Sequence, residues 1–385
     1  MSLALEHVVV LFGALQGVFI AIALCAKTTE PRAPNRLLSA LLLCCSALLV
    51  EYWVVDSQTF RSVPHLLLCS APAVFALGPL YYQYTRTLLR AAYRRSDLYH
   101  FAPAAAVAVA LLPFYLRGGA TKVEWTDGWL EEGFVTLPVL PYLLVALASF
   151  HLLAYFLKAY EFLESFRRGV VEEFASPRLG TVLWLKRLSL AFSVLMVLFY
   201  IGWGEALYPQ DRERIVVPVV AMTLALLILG VGLALFLAPE LFATYTHGNL
   251  PSPDALAEQP KYEKTALTEA QLGSYLERLE AYVAEHKPYL EGELRLSEVA
   301  AALDVPAHHL SQTINQALGV SYFELMNGYR VEAAKALLAE SKTSGGTILE
   351  IALRAGFGSK ASFNRIFKRH TGLTPSQFQA ETPFP

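Results

Sequence analysis

The stretch AAALDVPAHHLSQTINQALG, residues 300–319, and the stretch ALRAGFGSKASFNRIFKRHTG, residues 352–372, are two copies of one pattern. In the first, Ala300 is followed four residues on by Asp304, then by Leu310, Ile314 and Gly319. In the second, Ala352 is followed by Gly356, then by Phe363, Phe367 and Gly372. Such a repeat governs the reading of everything around it. The spacing predicts a helix-turn-helix in each copy, at about 296–319 and 347–372. A small Ala lets a second helix cross close to the first, and Gly or Asp tolerates the left-handed backbone of the tight turn. The large apolar residues then hold the second helix by its inner face.

Helix starts are marked independently. Thr347 with Glu350 and Ser321 with Glu324 have capping-box spacing, and Thr374-Pro375 places a cap before a first-turn proline. Thr268 with Gln271 predicts a further helix, whose apolar positions Leu272, Leu279 and Val283 suit packing onto the domain or a short two-stranded seam.

The runs His308-His309-Leu310-Ser311-Gln312, Asn327 to Lys335, Ile351-Ala352 through Gly356-Phe357, and Thr371-Gly372-Leu373-Thr374-Pro375 closely resemble the AraC/XylS-type DNA-binding domain. The resemblance covers the C-terminal region and implies recognition helices at residues 307–318 and 359–370, entering successive major grooves of double-stranded DNA. By the same resemblance His308, Ser311 and Gln312 face bases in the first copy, and Ala361, Asn364 and Arg365 in the second. Asn315 and Lys368 lie nearer the phosphates, with Lys360 and Ser362 beside them. Arg365 is the expected guanine reader.

Charge divides the two copies. From Glu269 to Glu340 there are five basic residues (Arg278, Lys287, Arg295, Arg330, Lys335) against about eleven acidic ones. From Ser341 onward Lys342, Arg354, Lys360, Arg365, Lys368 and Arg369 face only Glu350 and Glu381. The second copy is therefore the electrostatic anchor, and weak binding by one copy implies a homodimer or paired sites.

The rest of the chain is a different material. With 55% hydrophobic and 17% charged residues over 385 positions, the composition is not that of a soluble protein, and the excess lies before residue 240. Seven stretches have a length that suits a bilayer crossing of about 20 residues: 3–25, 37–55, 63–82, 99–116, 134–157, 181–201 and 215–237. Pro72, Pro79, Pro103 and Pro113 interrupt the third and fourth. The first carries Glu6 where a signal peptide would be basic. Basic residues cluster in alternate loops, at Lys27, Arg32 and Arg36, then Arg86 to Arg95, then Lys158 to Arg178. The positive-inside rule thus places the N-terminus outside and the C-terminal domain in the bacterial cytoplasm. Cys25, Cys44, Cys45 and Cys69 lie in apolar stretches and imply no disulfide framework.

The expected organisation is all-α: a seven-helix transmembrane bundle over 1–238, a Pro-containing linker over 239–267, and a tandem helix-turn-helix domain over 268–385. Ionisable and aromatic residues near outer helix ends, Glu6, His7, Glu51, Trp53, Trp203 and Glu205, form either a ligand pocket or an interfacial belt, with Glu51 the leading candidate. No nucleophile elbow, phosphate-binding loop or His-Glu-x-x-His motif is present, so no catalysis, cofactor or metal is expected. The reading is an inner-membrane transcription regulator responding to a small-molecule or lipid signal, with RNA polymerase as a partner if it activates. The alternative is a membrane transporter or enzyme whose cytoplasmic domain binds another protein; no charge pair marks a transport path.

Overall fold

A computed structural model describes residues 5–26, 32–89, 95–132, 139–175, 179–205, 216–242 and 267–381. The described residues are helical and fall into two compact units, one of Met1–Glu164 with Gly180–Ala255, the other of Ser165–Leu179 with Leu256–Pro385.

The first unit contains α1 (Leu5–Ala26), α2 (Arg32–Asp56), α3 (Ala71–Leu88), α4 (Ala102–Ala110), α5 (Leu112–Tyr115) and α6 (Gly119–Glu132). The start of α7 (Val139–Glu173), α8 (Gly180–Glu205) and α9 (Val216–Leu237) complete it. Five segments are long and apolar enough to cross a membrane: Leu5–Ala26, Arg32–Asp56, Pro64–Leu88, Gly180–Leu198 and Pro218–Leu237. The fourth expected crossing, at 99–116, departs from a continuous helix. It is a 3-10 segment, Arg95–Phe101, followed by α4 and then the four-residue α5, with Pro103 and Pro113 in the first turns of the latter two. Proline lacks the N–H that a helix interior needs, so the chain restarts at each one. Helix contact is close where glycine permits it: a methyl group on Gly13 of α1 would collide with Ala225 of α9. The expected linker lies outside the described residues at 243–266.

The second unit contains α10 (Glu269–His286), α11 (Leu296–Ala302), α12 (Ala307–Leu318), α13 (Tyr322–Ser344), α14 (Ile348–Arg354), α15 (Lys360–Thr371) and α16 (Pro375–Glu381). The repeat in sequence is a repeat in space: α11 and α14 have seven residues each, α12 and α15 twelve each. Each pair turns on a left-handed residue, Asp304 at φ 48° and Gly356 at φ 84°, as the spacing requires. Gly356 has a second reason to be glycine, because a Cβ there would strike the Tyr289 carbonyl and the Leu290 backbone. The capping boxes at Thr268/Gln271, Ser321/Glu324 and Thr347/Glu350 are all formed.

Each pair builds its own core. Val299, Ala300, Leu310 and Ile314 bury with Leu279 and Val283 of α10, so that helix packs onto the domain. Ala352, Phe357, Phe363, Ile366 and Phe367 form the other core. Helix α13 spans both, giving Tyr322 and Met326 to the first and Val331, Ala334 and Leu338 to the second.

Between those halves of α13 sits Arg330, wholly buried. Its guanidinium donates to three carbonyls: Nε to Tyr289 at 2.6 Å, Nη1 to Ala175 at 2.9 Å and Nη2 to Glu291 at 2.7 Å. Burial pulls its pKa down to about 10, so it remains charged at neutral pH. Ala175 follows α7 and is built into the first core. Its N–H donates to the Leu294 carbonyl at 3.1 Å, its carbonyl also accepts from Asn327 Nδ2 at 2.9 Å, and Phe174 forms an antiparallel bridge with Arg295. A domain boundary at 268 therefore omits Ser165–Leu179, which belongs to this unit.

Arg330→Met takes the donor from the Tyr289 and Glu291 carbonyls and one of two donors from Ala175, and is expected to cost roughly 3 kcal/mol or more, read as lost thermal stability of the purified full chain. Lys should restore little, since one ammonium cannot reproduce the guanidinium fork. Acid gives a separate test. Glu324 and Glu350 are held below the usual carboxylate range, first by the backbone N–H groups of Ser321 and Thr347 that they cap. A depressed carboxylate contributes stability that is complete above its unfolded value, about 4.3, and is lost as pH falls through its lower folded value. Thermal melts should therefore steepen below about pH 4.3, and the double variant Glu324→Gln/Glu350→Gln should flatten that decline, because Gln caps without titrating.

Candidate nucleic-acid interface

The two twelve-residue helices present different chemistry. In α12 the inner face is Leu310, Thr313 and Ile314, and Gly319 closes the helix at φ 68°. His308 and Asn315 are exposed and Gln312 is half-buried. Asn315 Nδ2 donates to the Ser311 carbonyl at 2.9 Å, which fixes the amide along the helix. Ser311 departs from the expectation of a base-facing residue: it is 3% exposed, on the same inward side as Leu310 and Ile314. His309 stacks on Tyr275 with ring centroids 6.1 Å apart. Burial, then the neighbouring His308, lowers its pKa, so it is uncharged at neutral pH.

Helix α15 begins at Ser359, whose hydroxyl accepts the Ser362 N–H at 3.2 Å. Phe363, Ile366 and Phe367 anchor its inner face, while Lys360, Ala361, Arg365 and Lys368 are exposed. Ser362 and Asn364 are half-buried at the edge, and Asn364 Oδ1 has no hydrogen-bond partner among the described residues. Lys360, Arg365 and Lys368 form no ion pair among the described residues. Three unpaired cations on one exposed helix can meet phosphates and base edges without first breaking an internal contact. Arg369 is employed differently, reaching Glu324 of α13 at 3.3 Å. It ties the second helix pair to the N-terminus of the bridging helix, a role that residue spacing does not reveal.

The outer-end candidates of the first unit are dispersed. His7 Nε2 lies 2.8 Å from Asp56 Oδ2, and Glu6 joins them with ligand atoms within 4.8 Å of one another. Glu51 is engaged by backbone: its carboxylate accepts the N–H of Leu68 at 2.9 Å and of Ser70 at 2.8 Å, together with the Ser70 hydroxyl. That carboxylate stabilises the turn before α3. Trp53 packs beside Val54, Phe60 and Leu67. The side chains of Trp203 and Glu205 lie outside the described residues.

Comparison with known proteins bears on the C-terminal unit. A family model described as a helix-turn-helix domain matches residues 299–381. An uncharacterized HTH-type transcriptional regulator of Staphylococcus aureus (strain COL) is 38% identical over 91 residues, which is 24% of this chain and 12% of that protein. The HTH-type transcriptional regulator YtdP of Bacillus subtilis (strain 168), also uncharacterized, is 31% identical over 91 residues, 24% of this chain and 11% of that one. This chain thus spans only about an eighth of the length of these curated relatives. Among solved structures, the C-terminal domain of AraT, a response regulator from Geobacillus stearothermophilus, is 31% identical and covers 29% of this chain and 88% of its own, at a TM-score of 0.26. Residues 299–381 of this chain are a helix-turn-helix domain.

Proposed function

We propose that the chain is a membrane-integrated transcription regulator of the bacterial inner membrane, binding specific double-stranded DNA through α12 and α15. The observation that carries the DNA reading is the exposed row Lys360, Arg365 and Lys368, unpaired on a helix whose opposite face is locked by Phe363 and Phe367. Helix α15 supplies charge and the guanine-reading Arg365, and α12 supplies His308 and Gln312 for bases. Because α12 carries no Lys or Arg, two copies on paired sites are needed for tight binding at physiological salt.

In the membrane part, the five apolar segments together with α7 and the broken 99–116 segment make seven crossings, with the N-terminus outside. Helix α7 has 35 residues, about 50 Å at 1.5 Å each, against a hydrocarbon core of about 30 Å. Its end therefore projects into the cytoplasm, where Glu173, Phe174 and Ala175 enter the DNA-binding unit. A signal that shifts α7 then acts directly on the core of the first helix pair, provided it binds the two states with different affinity.

Genome-wide crosslinking of the full-length protein to DNA tests this reading. Discrete sites are expected for the wild type. Arg365→Ala should weaken them by roughly ten- to a hundredfold, the loss of one bidentate base contact. Sites that persist unchanged in that variant, or no sites at all with protein abundant in the membrane, would count against the assignment.

A further inference from the structure

Eight helices of the first unit, α2 to α9, turn apolar side chains toward a common hollow. From α2 come Leu41, Cys45, Leu49 and Tyr52, from α7 Ala148, Leu152 and Phe156, and from α9 Ala221 and Leu224. Helices α3, α4 and α8 add Phe75, Tyr81, Val107 and Phe192. The space amounts to about 740 Å³. Close-packed interiors contain few voids larger than one water, and an apolar void does not hold water well. Small residues on the walls, Ala71, Ala110, Ala148, Ser149 and Ala221, leave the room open. The volume falls within the range of about 300–1,000 Å³ typical of small-molecule sites.

The two ends of the hollow differ. Tyr81, Phe156 and Phe192 close one end as an aromatic floor, with Phe156 and Phe192 stacked at 5.3 Å and the Tyr81 hydroxyl bonded to Leu185 and Ser189. Polar groups gather at the other. Tyr115 Oη donates to the Leu68 carbonyl at 2.9 Å, and Glu51 accepts the Leu68 N–H, so Leu68 brings the ends of α2 and α5 together. Tyr52, next to Glu51, and Arg117, two residues beyond Tyr115, both line the hollow there. Among the described residues the buried Tyr52 hydroxyl has no hydrogen-bond partner, and no ion pair engages the Arg117 guanidinium.

We infer that this hollow binds a long-chain fatty carboxylate, with the aliphatic chain along the walls of α2, α7 and α9 and the carboxylate at Arg117. Among the described residues Arg117 is the one basic group of the lining, and a guanidinium fork fits the oxygen pair of a carboxylate. The assignment names the ligand class for the sensor role proposed above and rests on that reading only for its consequence, not for binding.

The test uses the full chain in phosphatidylcholine nanodiscs and a sixteen-carbon fatty acid bearing a diazirine near its tail. Crosslinks are expected on lining residues near Phe156 and Phe192. Unlabelled palmitate should compete, and hexadecanol roughly tenfold less well, as loss of one charged hydrogen-bonding partner implies. Arg117→Gln should weaken palmitate by a similar factor and leave hexadecanol unchanged. Ala221→Phe, and separately Ser149→Phe, should each prevent capture, with helical content by circular dichroism reporting whether each variant is folded. Crosslinks confined to the outward-facing Phe19 and Phe150, or capture unaffected in folded Ala221→Phe and Ser149→Phe proteins, would overturn the site. Equal competition by acid and alcohol would overturn the assigned head group. Capture that leaves DNA crosslinking unchanged would sink the sensor role while the site stands; DNA binding without capture would do the reverse.

Discussion

A single buried cation organises the C-terminal unit. Arg330 occupies the midpoint of α13, the helix shared by both cores, and donates to three backbone carbonyls. An unpaired charge in that position would be prohibitive. A guanidinium surrounded by three aligned acceptors is tolerated, and the geometry that tolerates it is correspondingly rigid. Two of the acceptors, Tyr289 and Glu291, flank the backbone against which Gly356 of the second helix pair is pressed. The same short segment is thus gripped from the first core and abutted by the second. The relation of α12 to α15, and with it the register of any DNA contact, depends on that joint.

Much of this unit is legible in the order of its residues. Helix caps are local chemistry, so Thr268, Ser321, Thr347 and Thr374 are identifiable from residues three apart, and the turns at Asp304 and Gly356 from backbone tolerance. The resemblance to the AraC-type domain rests on the same residues. What spacing cannot reveal is long-range. Ala175 lies over 150 positions from Asn327 and Arg330, and nothing about an Ala after a long helix marks it as core. An outward Ser311 is the wrong expectation because a place in a recognition helix gives a position and not the local rotation of the helix. Glu51 stands out by its charge, but its charge serves the turn at Leu68 to Ser70. Pro103 and Pro113 do signal the fourth segment's trouble, and the chain there does restart twice.

The charge count along the sequence also changes meaning once residues are placed. Of the five cations between Glu269 and Glu340, Arg330 is interior, Arg278 is bonded to the Leu303 carbonyl, and Arg295 lies 5.5 Å over the Phe174 ring. The first helix pair therefore offers even less positive surface than its sequence implies. Attraction to a polyanion must enter through α15, whose own Arg369 is held by Glu324. Salt would then weaken the second pair's contacts far more than the first's.

Helix α7 matters to the C-terminal unit because of the residues that follow it. Helix α7 ends at Glu173. There the chain enters the first core as backbone: Ala175 both donates to Leu294 and accepts from Asn327 and Arg330. Side-chain contacts can slip by changing rotamer, whereas a backbone group clasped on both sides moves with its partners or breaks from them. Loss of Ala175 from the core would leave the Arg330 fork one acceptor short in a dry interior, which favours the arrangement in which Ala175 is bound.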